Sequence, residues 1–263
     1  MHKTIFGKAV WDRKISFAVT CLVMFVFALM FAALHVDSAS KITLLADSYP
    51  EALSAVFGDI AAGASPEGFL NLELYSLFLP FTLAITGIIF AVNAIGKEEE
   101  SGTLELLLAS PVTRSRIIIE KLAAIKLTLL VISFSAWFGV LVGKNLFVFD
   151  ANLLQVALAS LSVYLLGLVY AMVAFAGQSV TGKRSVGIGL GSGLLALTYF
   201  ADIVSKLVDK LDNFKYISPF YYMDMERVIN GDGKIINFVI LAGLSFTFYM
   251  IAHIAFINRD TGV

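Results

Sequence analysis

The residues with the clearest chemical potential lie in one charged passage, residues 96–121, which reads GKEEESGTLELLLASPVTRSRIIIEK. It opens with three consecutive carboxylates, Glu98, Glu99 and Glu100, and lies between two long apolar runs. A linker that only joined two apolar helices would not need acids, leucines, a proline and arginines in this order. The passage is therefore interpreted as a surface that contacts another protein.

The middle of the passage predicts a short amphipathic helix. Leu104, Leu107 and Leu108 fall on one helical face, and Glu105 lies off that face. Thr103 precedes the leucines and is a candidate N-cap. This arrangement predicts a helix that lies parallel to the membrane surface.

Pro111 ends this short helix, because proline lacks an amide N–H and disfavours the helical conformation at Ser110. Thr113 can then cap the next helix, which carries Arg114 and Arg116 in its first turn. On the residues alone a second interpretation stays open, namely a solvated cytoplasmic loop whose arginines follow the positive-inside rule.

A second motif, GQSVTGKR at residues 177–184, has the GxxxxGK spacing of a phosphate-binding loop. Arg184 occupies the position where Ser or Thr would ligate Mg²⁺, and an apolar run precedes the motif instead of a buried strand. Lys183 and Arg184 are therefore interpreted as charges that set membrane topology. His253 has no second His or Cys at ligand spacing, and no HExxH or Ser/His/Asp motif is recognisable. We expect no catalytic residue, no metal site and no cofactor in this chain.

Composition indicates the elements that must position these residues. The chain has 263 residues, 59% of them hydrophobic and 15% charged, and its mean hydropathy is +0.86. Soluble domains carry about 25% charged residues. The sequence therefore predicts an all-α integral membrane protein with a single transmembrane domain, residues 1–263. A net charge of −1 does not indicate a nucleic-acid partner. Six runs match the roughly 20 residues of a membrane helix: residues 15–34, 72–94, 117–142, 153–180, 186–203 and 235–257.

The distribution of basic residues predicts the orientation of these spans. With the N-terminus inside, twelve of the 19 Lys and Arg residues lie on the inner side. The positive-inside rule then places both termini and residues 96–116 in the cytoplasm. Between the fifth and sixth spans, the aromatic cluster YISPFYY at residues 216–222 predicts short helices at the outer leaflet. An ordinary aromatic belt without a mechanistic role is the alternative.

Four glycines alternate at the start of the fifth span, Gly187, Gly189, Gly191 and Gly193. They form two small-xxx-small pairs, and such pairs allow helix backbones to approach closely in lipid. The spacing predicts a close helix contact, either within the chain or between two copies.

Residues 98–121 resemble the segment between the second and third spans of ABC-2 family transporter permeases. The matching residues are Glu98, Glu100, Gly102, Thr103, Leu107, Leu108, Pro111, Arg114 and Lys121. The resemblance implies that residues 98–111 form a cytoplasmic coupling helix that docks on a separate ATP-binding subunit. The coupling residues implied in this way are Glu98, Glu99, Glu100, Gly102, Thr103, Leu104, Glu105, Leu107, Leu108, Pro111 and Arg114.

The same resemblance implies the function. The chain would be the membrane-spanning permease subunit of an ABC exporter in the cell membrane, with ATP and Mg²⁺ bound by two copies of the ATP-binding subunit. A second permease copy or a homologue would pair with it through the first and fifth spans, including the four glycines. Two other classes stay open. A membrane-embedded enzyme would need polar residues that converge at one depth, and a carrier or channel would conduct without an ATPase.

Overall fold

The structure is a computed structural model that describes residues 4–45, 61–103 and 112–259. These residues form helices and turns without a β-strand, which confirms the all-α class. The α-helices are α1 Ile5–Trp11, α2 Lys14–Leu45, α3 Pro66–Leu70, α4 Phe78–Glu100, α5 Arg114–Leu146, α6 Leu153–Thr181, α7 Arg184–Leu207, α8 Pro219–Met223, α9 Met225–Ile229 and α10 Ile235–Asn258. A π-helical turn covers Asn71–Tyr75, and 3-10 helices cover Ala61–Ala64 and Asp209–Ile217.

Six helices in the described residues are long and apolar enough to cross a membrane: α2, α4, α5, α6, α7 and α10. Each contains most of one predicted span, so the number and order of the spans are confirmed. The amphipathic character of α2, α5, α6 and α10 is weak, because lipid, like the protein interior, accepts apolar side chains on every face. Helix α7 is the most amphipathic of the six.

The second span differs from its predicted limits, residues 72–94, at both ends. Its α-helix begins at Phe78, because the residues before that point form a π-helical turn and a short non-helical connection instead of a regular α-helix. It then continues six residues past 94 and ends at Glu100. The predicted span ended at residue 94 because the hydropathy falls there. The helix continues beyond that point because neighbouring helices hold the charged side chains at its end.

Helix α6 lies at the centre of the bundle. It packs against α4, α5, α7 and α10, and every residue from 166 to 179 is buried. The contact with α4 is close because it uses glycine: a Cβ placed on Gly87 would lie 3.0 Å from Ala171 Cβ and 3.1 Å from Gly167 O. On the periphery, α2 packs mainly against α5.

The membrane helices alternate in direction, so their connecting segments lie at two opposite ends of the bundle. We call the end that contains both described chain termini the termini end. The termini end contains α1, the last turn of α4 and the first turn of α5, and there Phe6 N–H donates to Glu120 Oε2 at 3.1 Å. The opposite end contains the segments that follow α2, α5 and α7. There Asn152 N–H donates to Glu67 Oε1 at 2.7 Å.

Short helices connect α7 to α10 at the opposite end, as the aromatic segment predicts. Buried Ser218 donates its hydroxyl to Thr198 O at 2.8 Å, which ties the segment to α7. The Phe220 ring lies 5.2 Å from Tyr199 and 5.9 Å from Tyr170, centroid to centroid. The short helices are confirmed, and their position at the outer leaflet stays a prediction.

Candidate functional site

Helix α4 stops directly after the three acids. Gly102 has a φ of 66°, and a left-handed glycine at this position commonly ends a helix in a Schellman motif. The Gly102 N–H donates to Glu99 O at 3.2 Å, and the Thr103 N–H donates to Glu98 O at 2.9 Å. The expectation of one helix over residues 98–111 is therefore wrong in its first part, because Glu98, Glu99 and Glu100 end the membrane helix α4.

Each acid forms an ion pair with a different part of the chain. Glu98 pairs with Lys121 of α5, and Glu99 pairs with Arg259, which follows α10. Glu100 Oε2 lies 3.2 Å from Arg184 Nη1, at the start of α7. Consecutive residues on an α-helix point about 100° apart, so three acids in a row reach three neighbours. We call these six residues the ion-pair cluster.

The cluster places cations where the helix dipole requires them. The C-terminal end of a helix carries partial negative charge, and carboxylates there are unfavourable unless cations lie close. Lys121 is 4% exposed and also donates to the carbonyl of Ala94, in the last part of α4. One buried ammonium group therefore stabilises both a carboxylate and a backbone carbonyl at this end.

Arg259 extends the cluster to α6. Its Nη1 donates to Ser179 O at 2.9 Å and to Gln178 O at 3.3 Å, near the end of α6. The Gln178 side chain in turn donates from Nε2 to Glu99 Oε2 at 2.6 Å. Burial lowers the pKa of Arg259, yet a guanidinium group keeps its charge at neutral pH. The ends of α4, α6 and α10 are thus held by one arginine.

The three acids differ in accessibility. The side chains of Glu98 and Glu99 are 22% and 13% exposed, whereas the Glu100 side chain is 57% exposed. Glu98 and Glu99 therefore face the interior of the chain. Glu100 can keep its contact with Arg184 and still reach a molecule outside.

The corner before α5 is also connected to the C-terminal segment. Thr113 caps α5, because its hydroxyl accepts the Arg116 N–H at 3.3 Å. Arg114 donates from Nη1 to Arg259 O at 3.0 Å and to Ile257 O at 3.4 Å. The predicted cap is confirmed, and Arg114 contacts the end of α10.

The remaining predicted coupling residues lie outside the described residues. These are Leu104, Glu105, Leu107, Leu108 and Pro111. Their part in a docking helix stays a prediction.

The four glycines of α7 divide into two pairs that face different ways. A Cβ on Gly187 would lie 2.6 Å from Ala174 O, and one on Gly191 would lie 2.8 Å from Ala174 Cβ. Gly189 and Gly193 have no described atom within 4 Å of such a Cβ. Gly187 and Gly191 therefore allow α7 to pack on α6 within the chain, whereas Gly189 and Gly193 leave an open strip on the outer face of α7.

The GxxxxGK spacing falls on the end of a membrane helix. Residues 177–181 belong to α6, Gly182 ends it with a φ of 71°, and Arg184 pairs with Glu100. The sequence pattern was interpreted as making Arg184 a topology charge, and neither Gln178 nor Arg259 was included in the predicted site. The available signal was three consecutive acids at the end of an apolar helix, which require nearby cations.

Six long apolar helices and a charged cluster at one end of the bundle define the chain as a multi-pass helical membrane protein. Residues 4–261 match the family model described as ABC-2 family transporter protein. The chain therefore belongs to the ABC-2 family, whose members are membrane-spanning permeases of ABC transporters and associate with an ATP-binding subunit. A comparison with curated proteins finds no significant match.

Proposed function

We propose that this chain is the permease subunit of an ABC exporter in the cell membrane, with both termini in the cytoplasm. ATP and Mg²⁺ bind to two copies of a separate ATP-binding subunit, and this chain supplies the pathway together with a second copy or a homologue. The family match supports the permease role, and the excess of Lys and Arg on the termini side supports this orientation.

The ion-pair cluster is the observation that carries the proposal. In the sequence, residues 104–111 lie between the end of α4 and the start of α5, a few positions after Glu98, Glu99 and Glu100. A displacement of this segment is transmitted through the backbone to α4 and α5. Through Arg184 and Arg259 it also acts on α7 and on the ends of α6 and α10. Residues 104–111 therefore serve as a lever, and the cluster distributes its movement over the bundle.

The docking contacts follow from chemistry and exposure. Leu104, Leu107 and Leu108 fill an apolar groove of the ATP-binding subunit. Glu100, exposed beside Arg184, is the acid that reaches a basic group of that subunit. Glu98 and Glu99 keep their internal partners and act by positioning.

The second copy packs on the outer faces of α2 and α7. Gly189 and Gly193 leave room there for a close approach, because no described side chain covers them. Leu197 and Phe200 continue the same helix and are 71% and 64% exposed. Replacing both Gly189 and Gly193 with Leu would block the approach and yield monomers on cross-linking in membranes, whereas unchanged dimers would show that this strip is not the interface.

Co-expression with an ATP-binding subunit, which we expect the neighbouring reading frame to encode, tests the main proposal. The two chains should co-purify, and Glu100→Lys should leave the fold intact and weaken the complex or uncouple ATP hydrolysis from transport. Asp150→Lys is the matched control, since Asp150 is an exposed acid at the opposite end. The assignment fails if the two chains do not associate, or if reconstituted vesicles transport equally well without the ATP-binding subunit.

A further inference from the structure

A cavity of about 900 Å³ lies at the termini end, between α1, the start of α2 and the last part of α4. Its volume falls within the roughly 300–1,000 Å³ of ligand-binding pockets. We call it the basic pocket, because most of the charged side chains that line it are cations. Among the described residues these are Lys8, Arg13, Lys14, Lys97, Lys121 and Arg184, together with the acids Asp12, Glu98 and Glu100.

The basic pocket keeps an excess of positive charge after its internal ion pairs are counted. Lys121 and Arg184 pair with Glu98 and Glu100 in the ion-pair cluster. The other four cations of the lining share it with one acid, Asp12. The described residues therefore leave most of these four charges without a carboxylate to neutralise them.

Acids outside the lining do not remove this excess. Glu99 pairs with Arg259, and Glu120 pairs with Arg116, so each of these acids already has a cation of its own. Within the described ranges no carboxylate forms an ion pair with the four remaining cations, which are Lys8, Arg13, Lys14 and Lys97. The surplus charge is therefore available to an anion from outside the chain.

Arg13 is the cation whose surroundings most clearly require a ligand. Its guanidinium carbon lies 4.9 Å from the centre of the Phe90 ring of α4, in a cation–π contact. Burial lowers the pKa of Arg13 to about 10, against the opposing influence of Glu98 and Asp12, and the group keeps its charge at neutral pH. In the described part of the chain this guanidinium group has no hydrogen-bond partner. Unpaired donors on a half-buried charge are costly, and their planar fork matches a phosphate group.

The rim of the basic pocket indicates that this phosphate belongs to a lipid. Trp11, Ile15 and Ile89 also line the pocket, and all three are exposed. Ile15 and Ile89 lie in the membrane helices α2 and α4, so their exposed side chains face the acyl region. Tryptophan is typical of the membrane–water interface, where phospholipid headgroups lie. A soluble anion would need the cations and would make no use of this apolar rim.

We propose that the basic pocket binds the phosphate headgroup of an anionic phospholipid, with Arg13 and Lys97 as its cation partners and the acyl chains against Ile15 and Ile89. Such a lipid bridges α1 and α2 to the last turn of α4, directly beside the ion-pair cluster. The proposal requires that the chain spans a membrane, and it does not depend on ATP-driven transport. Its failure would leave the permease assignment intact.

The test measures equilibrium binding of tritiated dioleoylphosphatidylglycerol to the purified full chain in dodecyl maltoside. Binding should saturate, and dioleoylphosphatidylcholine, which has the same acyl chains but no net charge, should compete at least about tenfold more weakly. Arg13→Gln and Lys97→Gln should each weaken binding about fivefold, and the double variant at least about tenfold, because each removes one cation from the headgroup. Lys183→Gln is the matched control, since Lys183 is an exposed lysine at the same end but outside the lining. It should leave binding unchanged.

Two further measurements distinguish the lipid from other anionic partners. Glycerol 3-phosphate supplies a phosphate without acyl chains and should compete at least about tenfold more weakly than the unlabelled lipid. Equal competition by it would identify a site for a soluble phosphate and overturn the proposal. If the double variant binds the lipid normally but no longer co-purifies with the ATP-binding subunit, these cations form a protein contact, and the proposal is wrong.

The proposal is also overturned if binding does not saturate, or if phosphatidylcholine competes equally. Arg13 contacts Phe90, so Arg13→Gln can also disturb the packing of α4. Lys97 is exposed, and its replacement should not affect the fold. If Arg13→Gln lowers the melting temperature, the Lys97→Gln result decides.

Discussion

Glu99 and Arg259 form an ion pair that joins the last turn of the second span to the residue that follows the sixth. Their side chains are only 13% and 18% exposed. Arg259 also donates to carbonyls at the end of α6, so the pair connects three helices. In the proposed permease, whose energy would come from a separate ATP-binding subunit, this pair is suited to transmit movement between helices that are distant in sequence.

The first prediction concerns this pair. Glu99→Gln should lower the apparent melting temperature of the purified chain by several degrees, an effect of about 1–3 kcal/mol, because Arg259 would lose its hydrogen-bonded counter-charge in a largely buried position. Arg259→Gln should cost at least as much, since the α6 carbonyls lose a donor as well. The double variant should cost less than the sum of the two single changes. Additive effects in this cycle would show that the pair contributes no coupling.

The number and order of the membrane helices were predictable because length and hydropathy determine them directly. The six predicted spans correspond to α2, α4, α5, α6, α7 and α10. The cap at Thr113 was predictable for a similar reason, as its signal is local. Features that depend on two or three adjacent residues, or on one long apolar run, need no knowledge of the fold.

The ion-pair cluster was not predictable to the same degree. Glu98, Glu99 and Glu100 were identified from the sequence. The identity of Arg259 and Gln178 as partners of Glu99 depends on how α6 and α10 pack beside α4. The glycines show the same limit. Their spacing indicated a close helix contact, and only the packing shows that Gly191 faces α6 while Gly193 faces outward.

The second prediction compares these two glycines. Gly191→Ala should destabilise the chain by about 1–3 kcal/mol, because its new Cβ would lie 2.8 Å from Ala174 Cβ and 3.0 Å from Ile88 Cγ1, and α7 would have to shift. Gly193→Ala should leave the melting temperature unchanged or raise it slightly, since its Cβ meets open space and alanine favours the helix. Thermal unfolding of both variants in one detergent provides the measurement. Equal effects would contradict the orientation of α7.

The third prediction concerns pH and Asp224. Burial raises the pKa of Asp224 above its ordinary value of 3.8, against the opposing influence of Arg227 and Lys234. The folded chain therefore binds this proton more tightly than the unfolded chain, and stability falls as the pH rises from about 4 through the raised pKa. Asp224→Asn should remove this part of the slope. Asn also suits the left-handed backbone at this position, where φ is 43°.

The control for that experiment is Asp150, whose pKa is lowered by its hydrogen bond with Lys144. A lowered pKa has the opposite sign, so any stability from this pair is present above pH 4 and lost as the pH falls. Asp150→Asn should therefore leave the slope assigned to Asp224 in place. An Asp224→Asn variant with the wild-type slope would show that another group is responsible.

The last prediction separates positioning from docking within the ion-pair cluster. Glu98→Gln leaves Lys121, which is 4% exposed, without its carboxylate partner, so the variant should lose thermal stability with the ATP-binding subunit present or absent. Glu100→Gln removes a carboxylate that is 57% exposed, and the isolated chain should melt as the wild type does. In the complex, Glu100→Gln should have the larger effect on coupling, because Glu100 is the acid proposed to contact the partner. ATP hydrolysis and transport measured together would then show coupling reduced more by Glu100→Gln than by Glu98→Gln at a temperature where both variants are folded. If Glu100→Gln retains full coupling while Glu98→Gln loses it, the carboxylates act only through the internal ion pairs, and contact with the partner must come from residues 104–111.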